Sequence, residues 1–375
     1  MLIASYTETE GSCLNTGFDL DQYLTEGVEL IVKDALAASL KNPKETAFLL
    51  TYALAARRAD DARRRFASAG KHIPSFLIAS ITNRCNLHCA GCYARANNLC
   101  DDGSSEALLT DEEWERIFSQ AGEIGVSFCL LAGGEPMLRR GVLERAAKHK
   151  EILFPVFTNG TLLSESMLEL LDAHRNLVPI VSVEGDEVQT DTRRGAGTYA
   201  KLITNMERMR ERGVLFGVSV TLTTENLNTV TGGAFLQTLR SLGAKVAFYV
   251  DYVPADPGTE ALAPGDAERE TLAARLEELR RVQDGMIYVS FPGDEQFSGG
   301  CLAAGRGFFH INPTGGAEPC PFSPVSDTSL KRVSLLEALD SPLFSRLRAS
   351  ELLSGHHNGA CALFGKDDEL AAMCV

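Results

Sequence analysis

The chain reads as an α/β protein built on a parallel sheet, and three observations lead there. From Ser75 onward, short apolar runs alternate with amphipathic segments of helical spacing. Gly70 and Pro74 set this stretch off from a helical N-terminal region. A loop bearing three cysteines follows the first apolar run, at the kind of strand end where such sheets collect their ligands.

Taken in order, Val28, Ile31, Val32, Ala35, Leu36 and Leu40 recur at helical spacing before Pro43. A second helical stretch runs from about Lys44 to Phe66, with Phe48, Leu49, Tyr52 and Leu54 as its apolar members. The basic run Arg57, Arg58, Arg63, Arg64 and Arg65 is interleaved with Asp60 and Asp61, the pattern of a solvated helix face. Strands are expected at Phe76–Ile81, Val126–Leu131, Leu153–Phe157, Val178–Val183, Leu215–Leu222 and Val246–Val253. Helices are expected between them at Asp111–Ile124, Val142–Lys150, Ser164–His174, Tyr199–Arg212 and Ala234–Leu242. The first opens on a capping box, Thr110 with Glu113. Helical crossovers imply right-handed connections, in a doubly wound sheet or a partial barrel. A polar helix, about Asp266–Asp284, leads out of the core, and Phe308–Ile311 before Gly315-Gly316 reads as a hairpin in a tail of short strands and loops.

Composition narrows the function classes. The 375 residues are 45% hydrophobic and 23% charged, ordinary for a globular chain with a substantial core. A net charge of −14 argues against a nucleic-acid backbone as partner, because phosphate binding runs on Lys/Arg excess. No run of 18 apolar residues suggests a membrane span, and the first residues lack a signal-peptide pattern. Ten cysteines in such a chain point to a reducing compartment and to metal or redox use, so a cytoplasmic location is expected.

The cysteine loop is Cys85, Cys89 and Cys92, a C-x3-C-x2-C run followed by Tyr93. Three thiolates can hold three irons of a cubane cluster and leave the fourth without a protein ligand, the logic that separates open catalytic metal sites from closed ones. A zinc site is the alternative reading; zinc loops usually come as paired knuckles, and no second knuckle follows. The run resembles the signature of the radical S-adenosylmethionine (SAM) superfamily, whose open iron chelates the SAM amino and carboxylate groups. Further segments carry the same resemblance. Gly133-Gly134-Glu135-Pro136 follows the second strand and is similar to the family's GGEP motif, which receives the SAM amino group. Thr158-Asn159-Gly160 follows the third strand, like the family's TNG. Ser182-Val183-Glu184-Gly185, with Arg194 twelve residues beyond Ser182, resembles the SLDG segment and arginine of the SPASM/Twitch branch. There the serine and arginine hold the SAM carboxylate and the acidic residue lies near the ribose; here Glu184 stands for the usual Asp. A surface salt bridge is the plainer reading of Arg194. The residue before the third core cysteine is often aromatic in the family, and here it is Gly91.

The tail resembles the same branch. Thirteen residues separate Cys301 from Gly315 and four separate Gly315 from Cys320, the opening of SPASM and Twitch domains, with Cys361 as third ligand of an auxiliary 4Fe-4S cluster. The dense SPASM cysteine run is missing, so one auxiliary cluster is expected, its fourth ligand Cys374, His356, His357 or none. Cys13, Cys100 and Cys129 read as buried or incidental thiols.

The resemblance implies a partial (β/α)6 TIM-like barrel over residues 74–285 and a small α+β iron–sulfur domain over 286–375; the helical extension over 1–73 is read from its apolar spacing and resembles no named family. It implies a radical SAM enzyme fed by a flavodoxin- or ferredoxin-type donor. SAM is cleaved to a 5′-deoxyadenosyl radical that takes hydrogen from a substrate C–H bond, and the auxiliary cluster assists oxidation or cross-linking. Peptides and small metabolites, cofactor precursors or lipids are the competing substrates; the first seventy residues lack a strand-rich peptide-recognition pattern. A non-catalytic iron–sulfur electron carrier is the rival from another class, and it would have no use for the GGEP, Ser182 and Arg194 elements.

Overall fold

A computed structural model describes residues 43–374, apart from 98, 102, 104, 105, 283 and 354–360. The helix expected over 28–40, Cys13, His356 and His357 lie outside the described residues. In chain order the elements begin with helix α1 (Pro43–Ser68), strand β1 (Phe76–Ser80), the single turn α2 (Tyr93–Ala96) and α3 (Asp111–Ile124). Then come β2 (Phe128–Ala132), α4 (Arg140–Ala146), β3 (Phe154–Thr158), α5 (Glu165–Ala173), β4 (Leu177–Ser182), α6 (Glu187–Arg194) and α7 (Thr198–Glu211). The core continues through β5 (Gly217–Leu222), α8 (Leu227–Val230), α9 (Gly233–Leu242), β6 (Val246–Asp251), α10 (Asp266–Val282) and β7 (Ile287–Phe291). The tail holds β8 (His310–Ile311), β9 (Ala317–Glu318), α11 (Leu335–Leu339), α12 (Pro342–Ala349) and α13 (Asp367–Ala372).

All strands form one unclosed sheet in the order β7-β6-β5-β4-β3-β2-β1-β8-β9. Every neighbouring pair is parallel except the β8–β9 hairpin. The α/β barrel class is as expected, with three differences. A seventh parallel strand, β7, extends the sheet past the boundary read at residue 285. The hairpin predicted in the tail adds to the barrel sheet along β1, with Ile78 opposite His310. The tail also carries three helices where only strands and loops were expected.

Register fixes which side chains face inward. Phe157, Ile180, Gly217 and Val246 align across β3–β6, so Phe157, Ser182, Ser219 and Phe248 share one face. The Phe157 and Phe248 rings, three strands apart, meet at 5.3 Å, which shows that the sheet curls around this face. Phe308, fully buried, stacks on Phe76 of β1 at 5.0 Å and meets Phe291 of β7 at 5.7 Å, plugging the gap between the ends of the curl. The opposite face packs on the helices: Leu77, Ala79, Cys129, Leu131 and Val156 join Trp114, Phe118 and Ala121 of α3 in the main apolar core. Helix α3 starts on its predicted capping box and stops at Gly125, in the left-handed conformation.

Helix α1 closes the N-terminal end of the sheet. Tyr52 donates to Ser127 O at 2.7 Å and Arg63 to Gly125 O at 2.6 Å, both just before β2. Buried Glu45 accepts from Arg175 at 2.6 Å and from the Leu215 amide at 3.2 Å, ahead of β4 and β5. These polar ties sit on strand starts, leaving the C-terminal rim open for the cysteine loop.

The hairpin is clamped to β1 by a buried relay. His310 is hydrogen-bonded to Glu318 through Nδ1 at 2.7 Å and to Ser80 Oγ through Nε2 at 2.7 Å, and Asn312 donates to Glu318 at 2.6 Å. His310→Ala leaves the Glu318 carboxylate and the Ser80 hydroxyl buried without these partners, which should destabilise the chain by about 3 kcal/mol. A urea titration should show a lowered midpoint at unchanged slope; an unmoved midpoint would mean the relay contributes nothing.

Candidate functional site

The cysteine loop runs from the end of β1 into α2, and its backbone is stitched to three neighbouring turns. Gly134 N donates to Thr82 O and Glu135 N to Arg84 O, each at 2.8 Å, so the GGEP turn forms a short ladder with the loop. The close approach explains the glycines: a Cβ at Gly134 would stand 2.1 Å from Arg84 O, and one at Gly133 2.4 Å from Thr82 O. Ala90 N donates to Arg193 O at 2.8 Å, linking the loop to α6. Arg95 reaches back from α2 to Leu87 O at 2.9 Å and Cys85 O at 3.3 Å.

Glu135 is completely buried and its carboxylate faces inward into the structure. Oε1 accepts from Thr158 Oγ1 at 2.8 Å and from Met137 N at 3.0 Å; Oε2 accepts from Asn159 N at 2.7 Å. Burial pushes its pKa up, opposed by the amides of Asn159 and Met137. The side chain thus ties the GGEP turn to the TNG turn. Asn159 passes the tie on, donating to Asn86 Oδ1 at 2.8 Å and approaching Cys85 Sγ at 3.9 Å.

Glu184 and Arg194 face each other. Arg194 donates to Glu184 Oε1 through Nε at 2.8 Å and through Nη2, while its Nη1 stands 3.9 Å from Cys89 Sγ. Thr221 N fills Glu184 Oε2 at 3.0 Å, and Arg193 adds a second cation at 3.4 Å. The pair is buried, with side chains 10% and 2% exposed, so Arg194 is not engaged in a surface salt bridge. Burial works against the Arg194 cation, but Glu184 and Cys89 outweigh it and raise its pKa. Ser182 Oγ pairs with Ser219 Oγ at 3.1 Å on the inward face, and no hydrogen bond joins it to Arg194 among the described residues. Tyr93, half-buried, meets the Phe322 ring at 4.7 Å in a tilted contact; burial, then Cys92 and Cys320, raises its hydroxyl pKa. It therefore stands between the core cysteine loop and the tail.

Burial raises the thiol pKa of Cys85 against the Leu87 amide and that of Cys89 against Arg194, and all three loop thiols interact electrostatically. Among the described residues no group of three or more Cys, His, Asp or Glu converges as tightly as a single ion requires. A sulfur-only donor set spread around a loop, with a guanidinium and an amide turned to its sulfurs, fits a thiolate-held iron–sulfur cluster. In the tail, Cys301 and Cys320 are buried and Cys361 is half-buried; burial raises all three pKa values, and each thiol feels another of the set. Cys374 stands apart, its thiol 3.6 Å from Leu370 O and facing Asp327 and Arg346. Cys129 is buried in the helix-side core, and Cys100 is buried beside Tyr93.

Several site residues were not foreseen. Tyr252, just past β6, lies where a side chain at Gly91 would stand: a Cβ there would be 2.3 Å from the Tyr252 hydroxyl. The ring fills the space beside this glycine, under the Arg193 guanidinium at 5.5 Å. Ser219, Asn86 and Arg193 were missed as well. Their strand ends were legible, but the partners they meet are far away in sequence.

Residues 79–232 match the radical SAM superfamily. The AdoMet-dependent heme synthase of Methanosarcina barkeri is 28% identical over 311 residues, covering 75% of this chain and 87% of that one. The PqqA peptide cyclase of Granulibacter bethesdensis is 27% identical over 259 residues, 66% of this chain and 67% of its own. Among solved structures, SuiB of Streptococcus suis bound to S-adenosylmethionine superposes with a TM-score of 0.65 at 18% identity, over 92% of this chain and 84% of that one.

The Glu135 tie gives a direct expectation. Glu135→Ala should expose the Asn159 amide to exchange about ten- to hundredfold faster, the equivalent of one lost charge-assisted hydrogen bond at ~1.5–3 kcal/mol. Native-state hydrogen exchange at Asn159 reads this, and unchanged protection would contradict the tie.

Proposed function

We propose that this chain, whose residues 79–232 match the radical SAM superfamily, is a radical SAM enzyme that oxidises a peptide substrate at a C–H bond, using a cluster at Cys85, Cys89 and Cys92 and an auxiliary cluster in the tail. When bound, the core cluster and SAM would supply the electron transfer and the radical hydrogen abstraction. The observation that carries this reading is the position of Arg194, a buried guanidinium held by Glu184 with Nη1 3.9 Å from Cys89.

The rest of the chain's part is binding, orientation and exclusion of water. The Gly133 and Gly134 carbonyls would receive the SAM amino group, and Arg194 and Ser182 its carboxylate. Glu184 orients Arg194, and its position at the strand end also brings it toward the ribose. Glu135, Thr158 and Asn159 hold the two turns in register around the cosubstrate. Tyr93 packs behind the cysteine loop and keeps water from its sulfurs. The half-buried inward side chains Leu130, Phe157, Phe248 and Val250 leave an apolar wall for the substrate. An electron donor of flavodoxin or ferredoxin type completes the system.

The peptide reading is supported by the peptide cyclase relative. A haem-type macrocycle is the second reading, favoured by the heme synthase relative. Anaerobic turnover with SAM, dithionite and either candidate peptides or an iron porphyrin separates them, by which one raises 5′-deoxyadenosine above the uncoupled rate.

Replacing Cys85, Cys89 and Cys92 together with Ala should remove about half the iron of the reconstituted chain and all SAM cleavage. Zinc in the anaerobically reconstituted wild type would overturn the reading. Arg194→Ala should keep the core iron yet weaken SAM binding about ten- to hundredfold, for one lost charge-assisted hydrogen bond. Calorimetric titration under argon reads it, and equal affinities would return Arg194 to a purely structural role.

A further inference from the structure

The end of β6 carries two buried tyrosines with opposite fates. Tyr249 points to the helix side, where its hydroxyl donates to Val230 O at 2.9 Å. Tyr252 lies three residues on, on the inward side shared by Phe248 and Val250. Its amide donates to Leu222 O at 2.9 Å and so prolongs the β5–β6 pairing. Tyr252 is 3% exposed, yet its hydroxyl has no hydrogen-bond partner among the described residues. A buried hydroxyl left unfilled costs free energy, and a ligand that accepts from it would offset that cost.

The ring is held from two sides. The Arg193 guanidinium lies over it at 5.5 Å. From the other side the cysteine loop passes so close that a Cβ at Gly91 would stand 2.3 Å from the Tyr252 hydroxyl. Arg193 anchors the same stretch of loop, its carbonyl accepting from Ala90 N at 2.8 Å. The hydroxyl is thereby set against the segment between Cys89 and Cys92. Neighbouring polar groups of the rim are filled from within the chain: Glu184 by Arg194 and Thr221 N, and Ser182 by Ser219. Arg193 Nε, buried over the ring, also lacks a hydrogen bond and stands 3.4 Å from Glu184 Oε1.

We propose that Tyr252 is a cosubstrate-binding residue whose hydroxyl donates to an acceptor in the nucleoside half of SAM. The proposal rests on the reading that the loop of Cys85, Cys89 and Cys92 takes SAM. The half of the molecule follows from the order of the strand ends. In that reading the amino group goes to the turn after β2, and the carboxylate to Ser182 and Arg194, at the ends of β4 and α6. β6 lies two strands beyond β4 in the sheet, on the side away from β2. The nucleoside is the part left for that side, and its ribose oxygens and ring nitrogens are acceptors suited to a phenol. Gly91 then has a functional reason, because a side chain there would displace the donor.

The test is Tyr252→Phe, which keeps the ring against Gly91 and Arg193 and removes only the hydroxyl. In the full-length, anaerobically reconstituted chain before SAM is added, the urea midpoint should stay or rise, because an unfilled buried hydroxyl has gone. A lowered midpoint would show that the hydroxyl already has a partner in the chain, and would overturn the proposal. The iron content should match the wild type; its loss would tie the hydroxyl to the cluster instead. Calorimetric titration should then show SAM affinity about three- to tenfold weaker, as for one lost neutral hydrogen bond. In competition against SAM, 5′-methylthioadenosine should weaken by the same factor and methionine should not change. A loss confined to methionine would overturn the assignment to the nucleoside half. Equal SAM affinities would overturn Tyr252 as a binding residue while leaving the radical SAM reading standing. A reconstituted wild type that binds no SAM would overturn both.

Discussion

The buried Glu135 carboxylate is the interaction on which the site depends. A carboxylate with no exposure is tolerated only when its oxygens are filled, and here they accept from Thr158, Met137 and Asn159. Two of those donors belong to the turn after β3, and the carboxylate belongs to the turn after β2. The third turn joins because Gly134 and Glu135 donate their amides to the cysteine loop, and Asn159 reaches Asn86. Three adjacent strand ends thus become one polar unit, and the cysteines are carried on it. Loss of the carboxylate would release the loop that bears the thiols as well as a turn.

The two ends of the barrel are handled by different means. At the N-terminal end, α1 satisfies strand-start carbonyls and amides through Tyr52, Arg63 and the Glu45–Arg175 pair, which closes that mouth. At the C-terminal rim the charges are left facing a site: Arg194 and Arg193 gather at Glu184, beside Cys89. Cations beside thiolates lower the cost of assembling several anionic sulfurs in one loop. The hairpin β8–β9 then brings the tail to the same sheet, and the Tyr93–Phe322 contact joins the core loop to the residue pair after Cys320. Both cysteine sets are therefore anchored on one rigid frame.

Much of this was legible in the residues because parallel α/β units repeat a local grammar. Thr110 and Glu113 announce α3, the apolar runs announce six strands, and glycines mark the turns that must pass close to other backbone. What stayed hidden depends on contacts between distant segments. β7 lay inside what read as the tail, since its five residues, half-exposed in alternation, carry no more signal than a tail strand. Glu135 and Glu184 were recognisable as acidic residues of the site, but their partners Asn159 and Arg194 were not assigned to them, because the pairings arise from sheet order. Tyr252 offers no local cue; only the folded chain shows it filling the space beside Gly91.

In the proposed function, Cys85, Cys89 and Cys92 leave one iron open to the SAM amino and carboxylate groups. Electron–nuclear double resonance on the reduced, reconstituted chain tests it directly, using SAM labelled with 15N at the amino group and 17O at the carboxylate. Hyperfine coupling from both labels is expected, as direct iron coordination requires. SAM that binds without coupling from either nucleus would contradict it.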